Sequence, residues 1–299
     1  MSRTTATLKG AGTAIVTPFT ATGSIDEHAL RKFVAWQVDE GIDYIVPCGS
    51  TGEAATMTPQ EQRRVVEITV EVVGGRIPVV AGAGSNDTAR ALENSRMMRD
   101  AGASHLLHVS PAYNKPPQRG IVAHFRALAD TVDLPIVVYN VPGRTASNLT
   151  AETTLELAEH PNIVAVKEAS GDLAQITQII RHRPPAFAVL SGDDALTLAI
   201  MAAGGDGVTS VTSNACPTLV ARLCAALNRG EYDDARAIDG RLAAWTRAAF
   251  VESNPIPVKA ALAMMNMIDD HLRLPLVPLA PEHRSLVRAA LEQAGALPG

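Results

Sequence analysis

Short apolar runs rich in β-branched residues recur along the chain and alternate with longer amphipathic stretches. The runs predict eight strands, at residues 13–16, 44–47, 77–81, 105–109, 135–139, 163–166, 187–190 and 207–211. The stretches between them carry the helical period of 3.6 residues, for example at 26–40, 59–73, 87–101 and 118–131. The chain is therefore predicted to consist of strand-helix units in series.

The local signals at helix ends agree with this alternation. Thr58 and Pro59 suit an N-cap and a first helical residue, and Gly41, Gly74 and Gly102 follow predicted helix ends. Because the strands are continuous apolar runs, both faces should be covered, as in a parallel sheet with helices outside. Eight such units close most naturally into a (β/α)₈ TIM barrel. An open doubly wound sheet is the alternative, but no G-x-G-x-x-G follows the first strand and no Walker loop occurs.

Residues 217–299 follow the eighth predicted strand and exceed what one closing helix needs. Their pattern predicts helices at 219–227, 232–251, 257–267 and 281–293. We expect the barrel to occupy 1–216. The C-terminal helices of 217–299 should complete and extend it, with no chemistry of their own.

Composition narrows the class of function. A net charge of −5 without a run of like charges predicts no nucleic acid and no membrane as partner. The N-terminus is polar, and the odd set Cys48, Cys216 and Cys224 suggests neither disulfides nor zinc, so we expect a cytoplasmic protein. The eight histidines show no metal-ligand spacing, and no Ser/His/Asp order is recognisable. Neither a metal nor a cofactor is expected.

Lys167 is the sharpest chemical signal, because it ends the apolar run 162–166, where alternation points it into the barrel. Desolvation there lowers the pKa of an ammonium and supplies the neutral amine that attacks a ketone carbonyl. The alternative is a strand-end lysine that reaches solvent or pairs with Glu168. The other lysines, at positions 9, 32, 115 and 259, do not end an equally apolar strand.

Further polar residues end neighbouring strands. Tyr139 ends the preceding strand, where a phenol could carry the protons that Schiff-base chemistry requires, or could simply cap the core. Ser50 and Thr51 lie in a glycine-flanked turn whose hydroxyl and N–H groups could bind a carboxylate, although such turns are often only structural. Tyr113 lies in a loop and is a weaker candidate.

Together these motifs resemble the dihydrodipicolinate synthase and N-acetylneuraminate lyase family, from about Gly10 to the C-terminus. The resemblance is carried by residues 49–53, 139–145, 166–171, 190–194 and 254–259. It implies that Lys167 forms an iminium with pyruvate, that Thr51 and nearby backbone N–H groups bind the pyruvate carboxylate, and that Tyr139 is the central proton carrier.

The resemblance also implies an active site shared between subunits. In the family a proton relay joins the tyrosine that matches Tyr139 to a hydroxyl that matches Ser50 and to a tyrosine that matches Tyr113, which enters from a neighbouring subunit. A homodimer is therefore the smallest expected assembly, and a homotetramer is the usual one. Gly192 and Thr209 match positions that line the pyruvate pocket, Thr209 through its backbone.

Residues 140–145 resemble the synthase branch of the family. There the arginine that matches Arg144 binds the carboxylate of L-aspartate 4-semialdehyde, the second substrate, in a step of lysine and diaminopimelate biosynthesis. Ser50 departs from the threonine that synthases commonly carry. This leaves a pyruvate-dependent aldolase of the N-acetylneuraminate, sugar-acid or hydroxy-oxoglutarate type as an alternative. A non-catalytic binding barrel is the remote one, because Lys167, Tyr139 and Arg144 are all kept.

Many synthases of the family bind L-lysine as an inhibitor at the dimer interface. The matching positions here are Ala54, Ala55, Pro59, Gln62, Asn86, Arg90 and Ala112. In lysine-sensitive relatives an acidic residue stands at the position of Arg90, a histidine at that of Gln62 and a tyrosine at that of Ala112. An arginine repels a cationic effector, so weak inhibition or none is expected.

Overall fold

The computed structural model describes residues 8–298, which form eight strands and twelve α-helices. The strands are β1 Gly10–Ala14, β2 Tyr44–Val46, β3 Val80–Gly82, β4 His105–Val109, β5 Ile136–Asn140, β6 Ile163–Glu168, β7 Ala188–Ser191 and β8 Gly207–Ser210. The helices are α1 Glu27–Asp39, α2 Pro59–Val73, α3 Thr88–Asp100, α4 Gln118–Thr131, α5 Pro142–Thr145, α6 Ala151–Ala158, α7 Leu173–His182, α8 Thr197–Ala202, α9 Pro217–Arg229, α10 Tyr232–Ala248, α11 Ile256–Met264 and α12 Pro281–Ala294.

The strands form one parallel sheet in the order β2-β1-β8-β7-β6-β5-β4-β3. The two ends of this sheet meet through a parallel bridge between Ile45 and Val79, beside which the N–H of Ile45 donates to the carbonyl of Pro78 at 3.1 Å. Sequential strands are therefore neighbours around a nearly closed ring. The predicted (β/α)₈ TIM barrel is confirmed, and the open doubly wound alternative is ruled out.

Helices surround the ring, and the last four continue beyond its final strand. The helix α9 packs against β1 and α10, while α10 and α11 pack against α12. The apolar interior of the barrel holds Tyr44, Val46, Leu107, Val137 and Leu190. Within residues 8–298 we find no helix with the length and hydropathy needed to cross a membrane.

Most predicted boundaries agree with the structure within a few residues. The ends of α2 and α4 are as predicted, and Thr58 caps α2 in a capping box with Glu61. The first strand differs, because it begins at Gly10 rather than at residue 13. A Cβ on Gly12 would lie 2.0 Å from the Tyr44 ring, so this glycine allows close packing instead of breaking the strand. The third strand also starts later than predicted, at Val80.

Candidate active site

A cavity of about 1000 Å³ opens at the carboxyl ends of the strands. Its wall includes the loop after β2, the ends of β5 and β6, the loop after β7, and the segment that joins α10 to α11. Active sites of this fold are built at this end of the barrel. The residues that sequence singles out and that line the cavity are Ser50, Thr51, Tyr139, Arg144, Lys167 and Gly192.

Lys167 lies near the end of β6 with its side chain inside the barrel, and only 5% of the residue is exposed. Burial lowers the pKa of its ammonium to about 8; Arg144 acts in the same direction, and the nearby Asp194 opposes both. The adjacent Glu168 points to the other face, where it accepts hydrogen bonds from Asn140 at 3.1 Å and from the N–H of Ser170 at 2.7 Å. Neither a solvent-exposed lysine nor a Lys167–Glu168 pair therefore occurs.

Tyr139 stands beside this lysine, because β5 and β6 pair with Tyr139 opposite Lys167. The Nζ atom of Lys167 lies 4.4 Å from the centroid of the Tyr139 ring. Burial raises the pKa of Tyr139 to about 12, although the charge of Arg144 opposes this shift. The phenol is therefore protonated at neutral pH, and its ring lies beside the amine.

Thr51 is buried at the cavity wall, in a turn that is closed by two backbone hydrogen bonds. The N–H of Gly52 donates to Gly49 and that of Glu53 donates to Ser50, each at 3.1 Å. Across residues 8–298 the N–H groups of Ser50 and Thr51 find no acceptor. Together with the Thr51 hydroxyl, they offer donors to an anion.

Gly192 lies directly against the lysine side chain. A Cβ at this position would lie 3.1 Å from both Cγ and Cε of Lys167 and 2.9 Å from Cβ of Ala169. A larger residue would therefore push on the amine-bearing chain. The next residue, Asp193, lines the cavity, and burial raises the pKa of its carboxyl group.

Asp194 organises the neighbouring strand end behind Lys167. Its carboxylate accepts a hydrogen bond from the Ser210 hydroxyl at 2.5 Å, from the Thr212 hydroxyl at 2.8 Å and from the N–H of Val211 at 2.8 Å. Sequence inspection placed the motif 190–194 in the resemblance but gave Asp194 no role.

Arg144 lies on the short helix α5 that follows β5, and it is exposed. Its Nη2 atom donates to the carbonyl of Asn254 at 3.4 Å. It lines the same cavity as Tyr139 and Lys167, where its charge opposes the rise in the pKa of Tyr139 and adds to the lowering of the pKa of Lys167. A carboxylate that enters the cavity would meet this cation near the reacting amine.

Two predicted residues do not reach the cavity within one chain. Tyr113 is 89% exposed in the loop after β4 and has a φ of 72°, an unusual backbone conformation for a bulky residue. Thr209 lies on β8, where its hydroxyl is 2.8 Å from that of Tyr44. Tyr113 therefore does not line the cavity of its own chain.

The C-terminal helices contribute more than the sequence predicts. Asn254, just before α11, donates its side-chain amide to the Thr51 hydroxyl at 2.8 Å. Thr246, Arg247 and Phe250 also line the cavity. This region therefore supplies part of the cavity wall and a hydrogen bond to a candidate binding residue.

Lys259, which the sequence pattern places on a helix rather than at the end of a strand, is as fully buried as Lys167. Its Nζ atom pairs with Glu53 at 2.5 Å, and neither side chain is exposed. No cluster of three His, Cys, Asp or Glu side chains suited to a metal occurs among residues 8–298.

Known proteins resemble this chain in sequence and in structure. Residues 7–294 match the Dihydrodipicolinate synthetase family. The 4-hydroxy-tetrahydrodipicolinate synthase of Koribacter versatilis is 49% identical over 291 residues, which cover 97% of each chain.

Two solved structures of the same kind superpose on almost the whole chain. The chloride-inhibited dihydrodipicolinate synthase of Acinetobacter baumannii, complexed with pyruvate, has a TM-score of 0.96 at 41% identity and covers 97% of this chain and all of its own. A monomeric dihydrodipicolinate synthase variant has a TM-score of 0.95 at 40% identity, and covers 97% of this chain and 98% of its own. The resemblance seen in the motifs is thus confirmed: the chain belongs to the Dihydrodipicolinate synthetase family.

Proposed function

We propose that the chain is a Schiff-base-forming lyase that condenses pyruvate with L-aspartate 4-semialdehyde to give 4-hydroxy-tetrahydrodipicolinate. The observation that carries the proposal is the buried amine of Lys167 beside the Tyr139 phenol, in a cavity with a carboxylate-binding turn. The names of the relatives support the choice of substrates. The product belongs to lysine and diaminopimelate biosynthesis.

The first step is attack of the neutral Lys167 amine on the C2 carbonyl of pyruvate. With a pKa near 8, about a tenth of the amine is neutral at pH 7, far more than for an ordinary lysine. Thr51 and the free N–H groups of the turn bind the pyruvate carboxylate and hold the carbonyl near the amine. The resulting carbinolamine loses water once its hydroxyl takes a proton, and an iminium remains.

Tyr139 is the group that moves these protons. Its phenol donates to the departing hydroxyl, and it donates again to the aldehyde oxygen when the new C–C bond forms. Between these steps the Tyr139 phenolate takes a proton from C3 of the iminium, which restores the phenol and converts the iminium into an enamine. The enamine carbon is the nucleophile that attacks the aldehyde.

Arg144 binds the carboxylate of the second substrate and directs its aldehyde toward the enamine. After condensation, the amine of the product attacks the iminium carbon, closes the ring and releases Lys167. Gly192 gives the lysine side chain room beside Ala169 throughout this sequence.

A second copy of the chain completes the relay. Tyr113 is exposed and has a positive φ, which is an unusual conformation for a bulky residue. We assign it to the active site of a partner protomer, with the Ser50 hydroxyl as the link between Tyr113 and Tyr139. The working unit is then at least a homodimer, and we propose a homotetramer. The solved relative described as a monomeric variant makes this assignment worth testing directly.

The test of the activity is a panel of aldehydes offered with pyruvate, combined with borohydride reduction. We expect turnover with L-aspartate 4-semialdehyde, inactivation by borohydride only when pyruvate is present, and a mass gain of one pyruvyl group per chain. Because Ser50 stands where synthases commonly carry threonine, N-acetylmannosamine and sugar aldehydes belong in the panel. A stronger preference for one of these would assign the chain to an aldolase branch instead.

A further inference from the structure

A fully buried ion pair lies behind the turn that we assign to pyruvate binding. Glu53 Oε1 is 2.5 Å from Lys259 Nζ, and both side chains have an exposed fraction of 0%. Glu53 belongs to the loop after β2, whereas Lys259 belongs to α11 in the C-terminal region. The pair therefore joins two segments that are distant in sequence.

Each partner has further fixed contacts. The ammonium of Lys259 donates to the carbonyl of His271 at 2.8 Å and lies 4.2 Å from the ring centroid of Phe19. The second carboxylate oxygen of Glu53 accepts the N–H of Arg273 at 3.1 Å. Both charges are thus held in one geometry from several sides.

Glu53 also has a backbone conformation that needs outside support. Its φ of 54° lies in the left-handed region, which is unfavourable for a residue other than glycine. Thr51 is only two residues earlier, and its hydroxyl accepts the Asn254 amide at 2.8 Å. Asn254, just before α11, and Lys259, within α11, therefore contact this turn at two points.

A contribution to the stability of the fold does not by itself explain a buried ion pair of this kind. Removing two charges from water costs several kcal/mol per ion, and apolar replacements of similar volume are often as stable or more stable. A buried ion pair does hold its surroundings in one conformation. Here it holds the backbone segment that carries the N–H donors of Ser50 and Thr51.

We propose that Glu53 and Lys259 are positioning residues that set the Ser50–Thr51 turn for the carboxylate of pyruvate. This role rests on the proposed function. It assigns to the C-terminal helices a part in substrate binding that lies outside the reacting groups.

The test compares Glu53→Gln with the wild type in the presence of pyruvate and borohydride. The amide keeps the size of the side chain but removes the charge that holds Lys259. We expect the pyruvate concentration for half-maximal trapping to rise at least tenfold. The KM for L-aspartate 4-semialdehyde should stay within twofold, because Arg144 binds that substrate from another element.

A control is the partly buried ion pair between Arg183 and Asp206, at the opposite end of the barrel. Asp206→Asn should lower the melting temperature without changing either substrate constant by more than twofold. If Glu53→Gln does not fold, the double variant Glu53→Gln/Lys259→Met removes both buried charges and should show the same rise.

Two results would overturn the positioning role. One is a folded Glu53→Gln or double variant that traps pyruvate with wild-type half-saturation. The other is an Asp206→Asn control that weakens pyruvate binding as much as Glu53→Gln does. A wild-type protein that takes no pyruvyl label would instead refute the proposed function itself.

Discussion

Lys167 and Lys259 are both buried, both lie over an aromatic ring, and burial lowers the pKa of each to about 8. Their surroundings differ. Lys259 is paired with the carboxylate of Glu53, whereas Lys167 has no carboxylate within ion-pair distance among the residues that the structure describes. Lys167 also lines the large cavity, and Lys259 does not.

A lowered pKa therefore does not by itself identify a nucleophile. The ammonium of Lys259 pairs with Glu53 and donates to the carbonyl of His271, so loss of its proton would leave the buried Glu53 carboxylate without its counter-ion. The amine of Lys167 can lose its proton at lower cost and then faces a cavity that admits a ketone. Lys167 differs from Lys259 because it has no paired carboxylate within residues 8–298 and because it faces the cavity.

Arg144 should have the largest separable effect on the Lys167 site, because we assign it to the second substrate only. Arg144→Ala should lower kcat/KM for L-aspartate 4-semialdehyde by about 30- to 1000-fold, which corresponds to the roughly 2–4 kcal/mol of one charge-assisted carboxylate contact. Borohydride trapping of pyruvate should persist. Arg126→Ala, on the surface beside Glu156, is the control and should behave as the wild type. Full synthase activity of Arg144→Ala would show that the arginine has another role.

Substitution of Tyr113 tests whether the Lys167 site needs a residue from a second chain, whereas the contacts of Lys259 lie within one chain. Tyr113→Phe should lower kcat by about 10- to 100-fold with an unchanged melting temperature, because it removes one hydroxyl from the proton relay that we propose. Tyr232→Phe, an exposed tyrosine at the start of α10, is the matched control.

Mixing provides a sharper version of the same test. If Tyr113→Phe and Lys167→Met chains form mixed dimers, one site in each regains both native residues, and activity should exceed the sum of the parents. A fully active monomer would contradict the shared relay.

The pH dependence of iminium formation should reflect the lowered pKa of Lys167. Only the neutral amine reacts, and a pKa near 8 makes it about a tenth of the population at pH 7 and about nine tenths at pH 9. The trapping rate at subsaturating pyruvate should therefore rise about tenfold over this range and then level off. A rate that keeps rising beyond pH 10 would indicate an ordinary, solvated lysine.

The smallest effect is expected from L-lysine. Arg90 lies 3.3 Å from Glu93 and carries a positive charge, which repels a cationic effector. Titration of lysine against the initial rate at subsaturating pyruvate should show little inhibition. Half-inhibition below about 1 mM, or roughly 4 kcal/mol of binding, would contradict this expectation.

The fold and the position of Lys167 could be predicted because both depend on local pattern. Alternation along 162–166 decides which face Lys167 occupies, and the structure places it in the barrel as predicted. The early start of β1 could not be predicted, since Gly12 reads locally as a breaker and only the distant Tyr44 ring explains it.

The second half of the site depends on contacts across the whole chain. Asn254 and Thr51 are 203 residues apart, and no periodicity links them. Lys259 reads as an ordinary helix residue until Glu53 is placed beside it. The role of Tyr113 stays a prediction, because it requires a partner that one sequence does not describe.

The most direct measurement is peptide mapping after borohydride reduction with pyruvate. The account predicts one pyruvyl group on the peptide that contains Lys167, none on the peptide that contains Lys259, and no label on a folded Lys167→Met variant. Label on Lys259 or another lysine, or an active protein that takes no label, would contradict the Schiff-base mechanism.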